Sequence, residues 1–396
     1  MRSSTRRTVL WALALVVALA VVGVAFVRGD GGDEAAAVAP GPGVPGDAGS
    51  GCGAAATTDP TDVGVDRTVA RCATGAPAAV PLRSTATVRV ALTDRSEAAA
   101  PLLVAVATGE LAEERLAVDV VDTDAAAAYA AMGRGDVDVV VGGLDGPFFD
   151  AVASGLGARV VLGGQVARHP SDLDEPQTGL WLRADLLGEP DGDDAARAWA
   201  NVAGQTVLVP GGLGSAALYP IDTTLTENEL GANAVDVLPA TAAEAAERLR
   251  AAAVGGAWLP EPWATQAASD RALRLVSTTP GSESITGTVF SPRLLGPDRA
   301  VGDAYARAVI RTVNTHLRDG YDDAALAAVA RALGVERGDV AAGPPPLFDW
   351  EVRSGTTDRV QDALTPLGGV RHDRSLAEAA VVDRSVAARV IAAAAP

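Results

Sequence analysis

Gly211, Gly212 and Gly214, followed by Ser215, form the stretch of this sequence best suited to meet a ligand. Glycines let a backbone come close to a bound molecule, and a helix starting behind them offers unpaired N–H donors to an anion. A glycine-rich turn in which Ser215 only caps that helix is the alternative. Asp94 and Asp145 can accept from an amine or hydroxyl, or act as solvated turn residues and caps. Arg95 and Arg168 can pair with a carboxylate or sulfonate, or lie on the surface. Glu261 stands between Pro260 and Pro262, two residues before Trp263. The prolines stiffen this turn, and a tryptophan at a cleft can cover an apolar or cationic ligand. Trp263 in the core of its lobe is the other reading. Gly143, in a Gly-Gly-Leu-Asp turn, and Gln165 complete the candidate set.

These residues become one site only if they end successive strands of open sheets, where ligands sit beyond the strands' carboxyl ends. The pattern supplies such strands. Segments 87–93, 116–122, 136–143 and 158–164 read as strands, with helices between them over 98–111, 124–132 and 148–154. A second series covers strands over 179–186, 205–212, 234–240, 255–263 and 273–279 and helices over 194–202, 215–230 and 242–253. Segment 286–292 returns to the first unit, and 303–318, 322–333, 357–367 and 376–394 are helical. Strands alternating with helices predict an α/β fold of two parallel-dominated sheets with flanking helices.

The chain has 396 residues, 48% of them hydrophobic but only 4% aromatic, so Ala, Val and Leu must fill the core. It contains no lysine, and its formal net charge is −18. Such an acidic chain lacks the clustered cations that nucleic acid requires. His169, His316 and His372 show no metal-ligand spacing, and no cofactor is expected.

Residues 8–27 are an apolar run long enough to cross a bilayer core, preceded by Arg2, Arg6 and Arg7. The positive-inside rule places the N-terminus in the cytoplasm and the rest of the chain outside the cell. Segment 1–28 is then a signal anchor or a signal peptide, and 29–85, rich in Gly, Ala, Pro, Asp and Thr, reads as a flexible tether. The sole cysteines, Cys52 and Cys72, lie in that tether and form a reasonable disulfide in an extracytoplasmic compartment; two separate thiols are the alternative.

Five segments in order carry a family likeness: PLLVAVATGELAEERLAVDVV (101–121), AAYAAMGRGDVDVVVGG (127–143), NVAGQTVLVPGGLGSAALY (201–219), AVGGAWLPEPWATQA (253–267), and PLFDWEV (346–352) with VQDALTPLGGV (360–370) and VVDRSVAARV (381–390). Over residues 86–390 the chain resembles the periplasmic solute-binding proteins of the nitrate/sulfonate/taurine and thiamine-pyrimidine type, which serve ABC importers. The resemblance implies a type II periplasmic-binding-protein fold: lobe one over 86–178, lobe two over 179–284, and a return to lobe one with C-terminal helices over 285–396. It implies a non-enzymatic role, capture of a small sulfonate-, nitrate-, taurine- or pyrimidine-like molecule by hinge closure, with permease and ATPase subunits as partners. Two other readings stay open. One is an enzyme acting on a small metabolite on the same fold. The other is a membrane-tethered ligand-sensing domain.

Overall fold

The computed structural model describes Cys52, residues 55–56, 59–64, 68–168, 173–187, Trp199, and residues 201–281, 283–344 and 346–393. The predicted membrane helix over 8–27 and most of the predicted helix over 194–202 lie outside these. Among the described residues, no helix is long and apolar enough to cross a membrane.

The first sheet is built from β1 (Ala86–Leu92), β2 (Leu116–Asp122), β3 (Val139–Gly143) and β4 (Arg159–Gly163). The second holds β5 (Gly179–Arg183), β6 (Thr206–Val209), β7 (Asp236–Pro239), β8 (Gly256–Leu259) and β9 (Leu273–Ser277), and β10 (Thr286–Phe290) returns to the first. The strand orders are β2-β1-β3-β10-β4 and β7-β6-β8-β5-β9. In the first sheet β1 runs parallel to β2 and β3, and β10 runs antiparallel to β3 and β4. In the second, β6 runs parallel to β7 and β8, and β5 runs antiparallel to β8 and β9. The two sheets thus repeat one plan. In each, the reversed strand directly succeeds the passage of the chain from the other sheet, across 164–178 into β5 and across 278–285 into β10.

The sequence explains the strands. Val139, Val140 and Val141 are all buried, as a β-branched run covered on both faces must be. Helix ends are equally local. Asp124 accepts from the Ala127 N–H at 2.9 Å to start the Ala125–Arg134 helix, and Gly135, at φ +79°, ends it. Thr241 and Glu244 form a reciprocal capping box on Ala242–Arg250. The predicted helix over 376–394 is broken into Glu378–Val381 and Ser385–Ala392. At the break Val382 bridges to Val160 beside β4, and the Asp383 N–H donates to the Val160 carbonyl at 2.9 Å. A sheet edge takes over the main-chain groups there, against the helical pattern.

Much of the segment read as a tether is docked on lobe one. Cys52 and Cys72 form a disulfide, with Cα atoms 4.6 Å apart, and both are buried in the lobe-one apolar core. The Cys72 N–H donates to Asn314 Oδ1 at 2.9 Å. The Val80 N–H donates to Glu114 at 3.2 Å, while its carbonyl accepts from Arg307 at 3.2 Å. Glu114 is fully buried and also accepts from Arg307 at 2.8 Å and Arg311 at 2.7 Å. These anchors are single polar groups and a covalent link, so they leave no apolar period in the sequence.

The C-terminal segment touches both lobes. Its Thr356–Leu364 helix packs on Leu218–Glu227 of lobe two and on Gly146–Ala153 of lobe one. Arg359 pairs with Glu283 at 2.8 Å in the second crossover, and Glu283 accepts from the Tyr219 hydroxyl of lobe two at 3.4 Å.

Candidate functional site

The carboxyl ends of β1, β3 and β4 face those of β6 and β8. Two adjoining cavities lie between them and share Asp94, Trp258, Ile285 and Thr286 as walls. The first adds Gln165 and Arg168 from beyond β4, Gln177 and Thr178 from the first crossover, and Glu261 from the turn after β8. The second adds Gly143 and Asp145 from lobe one, and Gly211 and Ser215 from lobe two. A further small cavity in lobe one, walled mainly by apolar residues such as Leu102, Tyr305 and Trp350, meets the first at Ala98 and Thr286.

Asp145 sits at the start of the Gly146–Ala153 helix but does not cap it. Its carboxylate reaches across the cleft and accepts from the Ala216 N–H of lobe two at 2.9 Å. Gly143 makes room for this, since a Cβ there would lie 2.3 Å from Asp145 Oδ1. Burial pushes the Asp145 carboxyl up to about 7, Asp94 adds to the rise, and the Ala216 N–H opposes it. The helix start behind Ser215, which the glycine-rich sequence offers to an anion, is therefore met by the protein's own carboxylate. Ser215 accepts locally, from the Ala217 N–H at 3.3 Å.

Asp94 accepts from the Ser96 hydroxyl at 2.8 Å, and burial raises its pKa. Glu261 is 3% exposed. Its Oε2 accepts from the Thr265 N–H at 3.1 Å, and its Oε1 is buried without a partner. Burial again drives its pKa upward. The Glu97 N–H donates to the Glu261 carbonyl at 3.3 Å, so the two residues meet across the lobes. Glu97 accepts from the Tyr321 hydroxyl at 2.7 Å and has a second oxygen buried without a partner. Burial pushes its carboxyl up to about 8, with Glu261 adding repulsion and Tyr321 opposing. Arg168 is the one guanidinium among the described cavity walls, and burial lowers its pKa.

Of the residues singled out in the sequence, Asp94, Gly143, Asp145, Gln165, Arg168, Gly211, Ser215 and Glu261 thus converge on the cleft. Four do not wall it; one of them, Gly212, lies against Pro239 of β7, where a Cβ would meet the proline at 3.2 Å. Arg95 is turned to Asp122, with Nε to Oδ1 at 3.0 Å, and to the Ala332 carbonyl at 2.8 Å. The acidic end of β2 captures it before it can reach the cleft. Gly214 lies against Pro147 and Gly369, where two lobes and the C-terminal segment touch. Trp263 opens the Trp263–Ala268 helix and packs on the apolar cluster of lobe two.

Sequence reasoning missed Trp258, Glu97, Thr178, Ile285 and Thr286. Trp258 had a readable signal: it stands near the carboxyl end of a central strand, while Trp263 lies a helix start further on. Glu97 had none, because an acid just before a helix is ordinary.

No family model and no curated protein sequence matches this chain. Solved structures do. The alkanesulfonate-binding protein SsuA of Xanthomonas axonopodis pv. citri, bound to MOPS, is 16% identical, with a TM-score of 0.54 over 80% of this chain and 99% of its own. The periplasmic nitrate-binding protein NrtA of Synechocystis PCC 6803 is 14% identical, with a TM-score of 0.57 over 81% and 90%. The fold is that of the periplasmic solute-binding proteins. A ligand-binding component of an ABC-type import system from Staphylococcus aureus, solved with zinc, has the same TM-score of 0.57 at 10% identity, over 77% and 98%. At such identities the likeness is one of fold; the residues that wall this cleft must speak for the ligand.

Proposed function

We propose that the protein is the extracytoplasmic solute-binding component of an ABC importer, and that its lobes close on a small molecule held between Asp94, Asp145, Trp258 and Glu261. One observation carries this reading. The carboxyl ends of two equivalent sheets face each other across adjoining cavities that both sheets wall. Ligand touching both walls binds the closed form better and shifts the population toward it. The importer's permease and ATPase subunits then receive the closed form. The fold shared with binding proteins of import systems supports this assignment. The buried Cys52–Cys72 disulfide suits an oxidising compartment outside the cytoplasm. Residues 8–27 serve in this proposal as the anchor or export signal.

The test is a melting-temperature screen of the full-length protein. It should cover sulfonates, nitrate, amino acids, pyrimidines and organic amines. A ligand at about 100 times its Kd stabilises by about 2.7 kcal/mol, which is a rise of roughly 3–5 °C for a chain of this size. If no compound of any charge class moves the transition, the solute-binding proposal fails.

A further inference from the structure

The cleft walls are unbalanced in charge. Among the described residues they carry the carboxyls of Asp94, Asp124, Asp145 and Glu261 against the single guanidinium of Arg168. Beside Glu261 stands Glu97, 2% exposed, so the acidic character continues behind the wall. The Ala216 N–H, two residues before the Leu218–Glu227 helix of lobe two and a donor a bound anion would use, already serves Asp145. Glu261, more than nine-tenths buried, is a wall of the first cavity, and its Oε1 has no hydrogen-bond partner. A buried acceptor left unmade is costly, and a donor on a ligand would satisfy it.

Deepening the solute-binding proposal, on which it rests, we infer that this cleft selects a small organic cation, whose charged nitrogen donates to Glu261 and Asp94 while its carbon skeleton lies against Trp258. Three features carry the choice. An anion would have to enter among like charges, at a cost of several kcal/mol. A cation gives the unused acceptor and the buried carboxyls a charged donor. Trp258 walls both cavities, and an indole face attracts ammonium and guanidinium groups. A bare metal ion is disfavoured, since among the described residues no group of three or more His, Cys, Asp or Glu is placed to hold one. The carboxyls are spread along the cleft, as suits an extended molecule.

Isothermal titration of the full-length protein at pH 8 tests this with choline, putrescine and agmatine against taurine, methanesulfonate and nitrate. At least one of the three cations should bind with micromolar Kd, and its affinity should fall as salt is raised. The three anions should give no heat. Glu261→Gln keeps the side chain's size and removes its charge, so it should weaken the cation about tenfold or more without lowering the melting temperature of the empty protein. Asp94→Asn serves as the second variant and should act in the same direction. Binding of an anion in preference to all three cations, or cation binding untouched by both variants, overturns the inference. So does silence from every cation. In the first of these cases the solute-binding proposal survives with another ligand class; it falls only if the wider screen also finds no ligand.

Discussion

Raising the pH from 5 to 9 without ligand should destabilise the protein by about 4 kcal/mol through Glu97 alone, and Glu97→Gln should remove most of that loss. The carboxyl stands at about 8 in the folded chain against an ordinary 4.5, chiefly because it is buried. Each unit of such a difference is worth about 1.4 kcal/mol. The sign comes from proton counting. Between the ordinary value and about 8, the folded state holds a proton that the unfolded chain has released. Stability from this group is therefore fully present below about pH 4.5 and is lost as pH rises through about 8. Tyr321 and Glu261 are the titratable groups that face it, and Asp94 stands three residues away. Asp145, at about 7, adds a slope of the same sign. Urea unfolding at pH 5, 7 and 9 reads the effect in wild type and Glu97→Gln. Equal slopes in the two proteins would mean that the Glu97 carboxyl does not carry the strain assigned to it.

This electrostatic character was only half legible in the sequence. The alternation of strands and helices placed β1, β2 and β9 to within two residues but overran β6 and β8 at their carboxyl ends by three and four, because buried Val-rich strands and glycine-ended helices are local signals while the turns beyond β6 and β8 are not. The strand-end rule then brought Asp94, Asp145 and Glu261 to one cleft. What the sequence could not give was partnership. Arg95 and Asp94 are neighbours, yet one is drawn to Asp122 and the other stays at the cleft. The Gly211–Ser215 stretch read as an anion site, and the donor it provides is taken by a carboxylate seventy-one residues away. The same holds for the docking of Cys72 and Val80, which depends on Asn314, Glu114 and Arg307 far along the chain. Local pattern fixes elements; long-range pairing of charges decides what the site they frame can hold.

Gly369→Ala should prop the lobes apart and weaken ligand binding by roughly 5- to 150-fold, the equivalent of about 1–3 kcal/mol of overpacking. A Cβ at Gly369 would lie 2.1 Å from the Leu213 carbonyl of lobe two, and a Cβ at Gly146 would lie 1.9 Å from the Gly369 carbonyl. Both obstacles are backbone, so a side chain cannot swing aside to relieve them. The C-terminal segment is meanwhile held on lobe one, where the Arg371 N–H donates to Asp150 at 2.7 Å. Added bulk at 369 must then displace the 212–214 turn, the neighbour of Ser215 and of the Ala216 N–H that meets Asp145. The apparent Kd rises by the fraction of molecules no longer able to close. Solution scattering should show a larger radius of gyration for Gly369→Ala in the presence of ligand. Gly133→Ala is the control, since nothing lies within 4 Å of a Cβ there. If Gly369→Ala bound ligand as wild type does and scattered identically, the contact between the 212–214 turn and the C-terminal segment would have no part in closing the cleft.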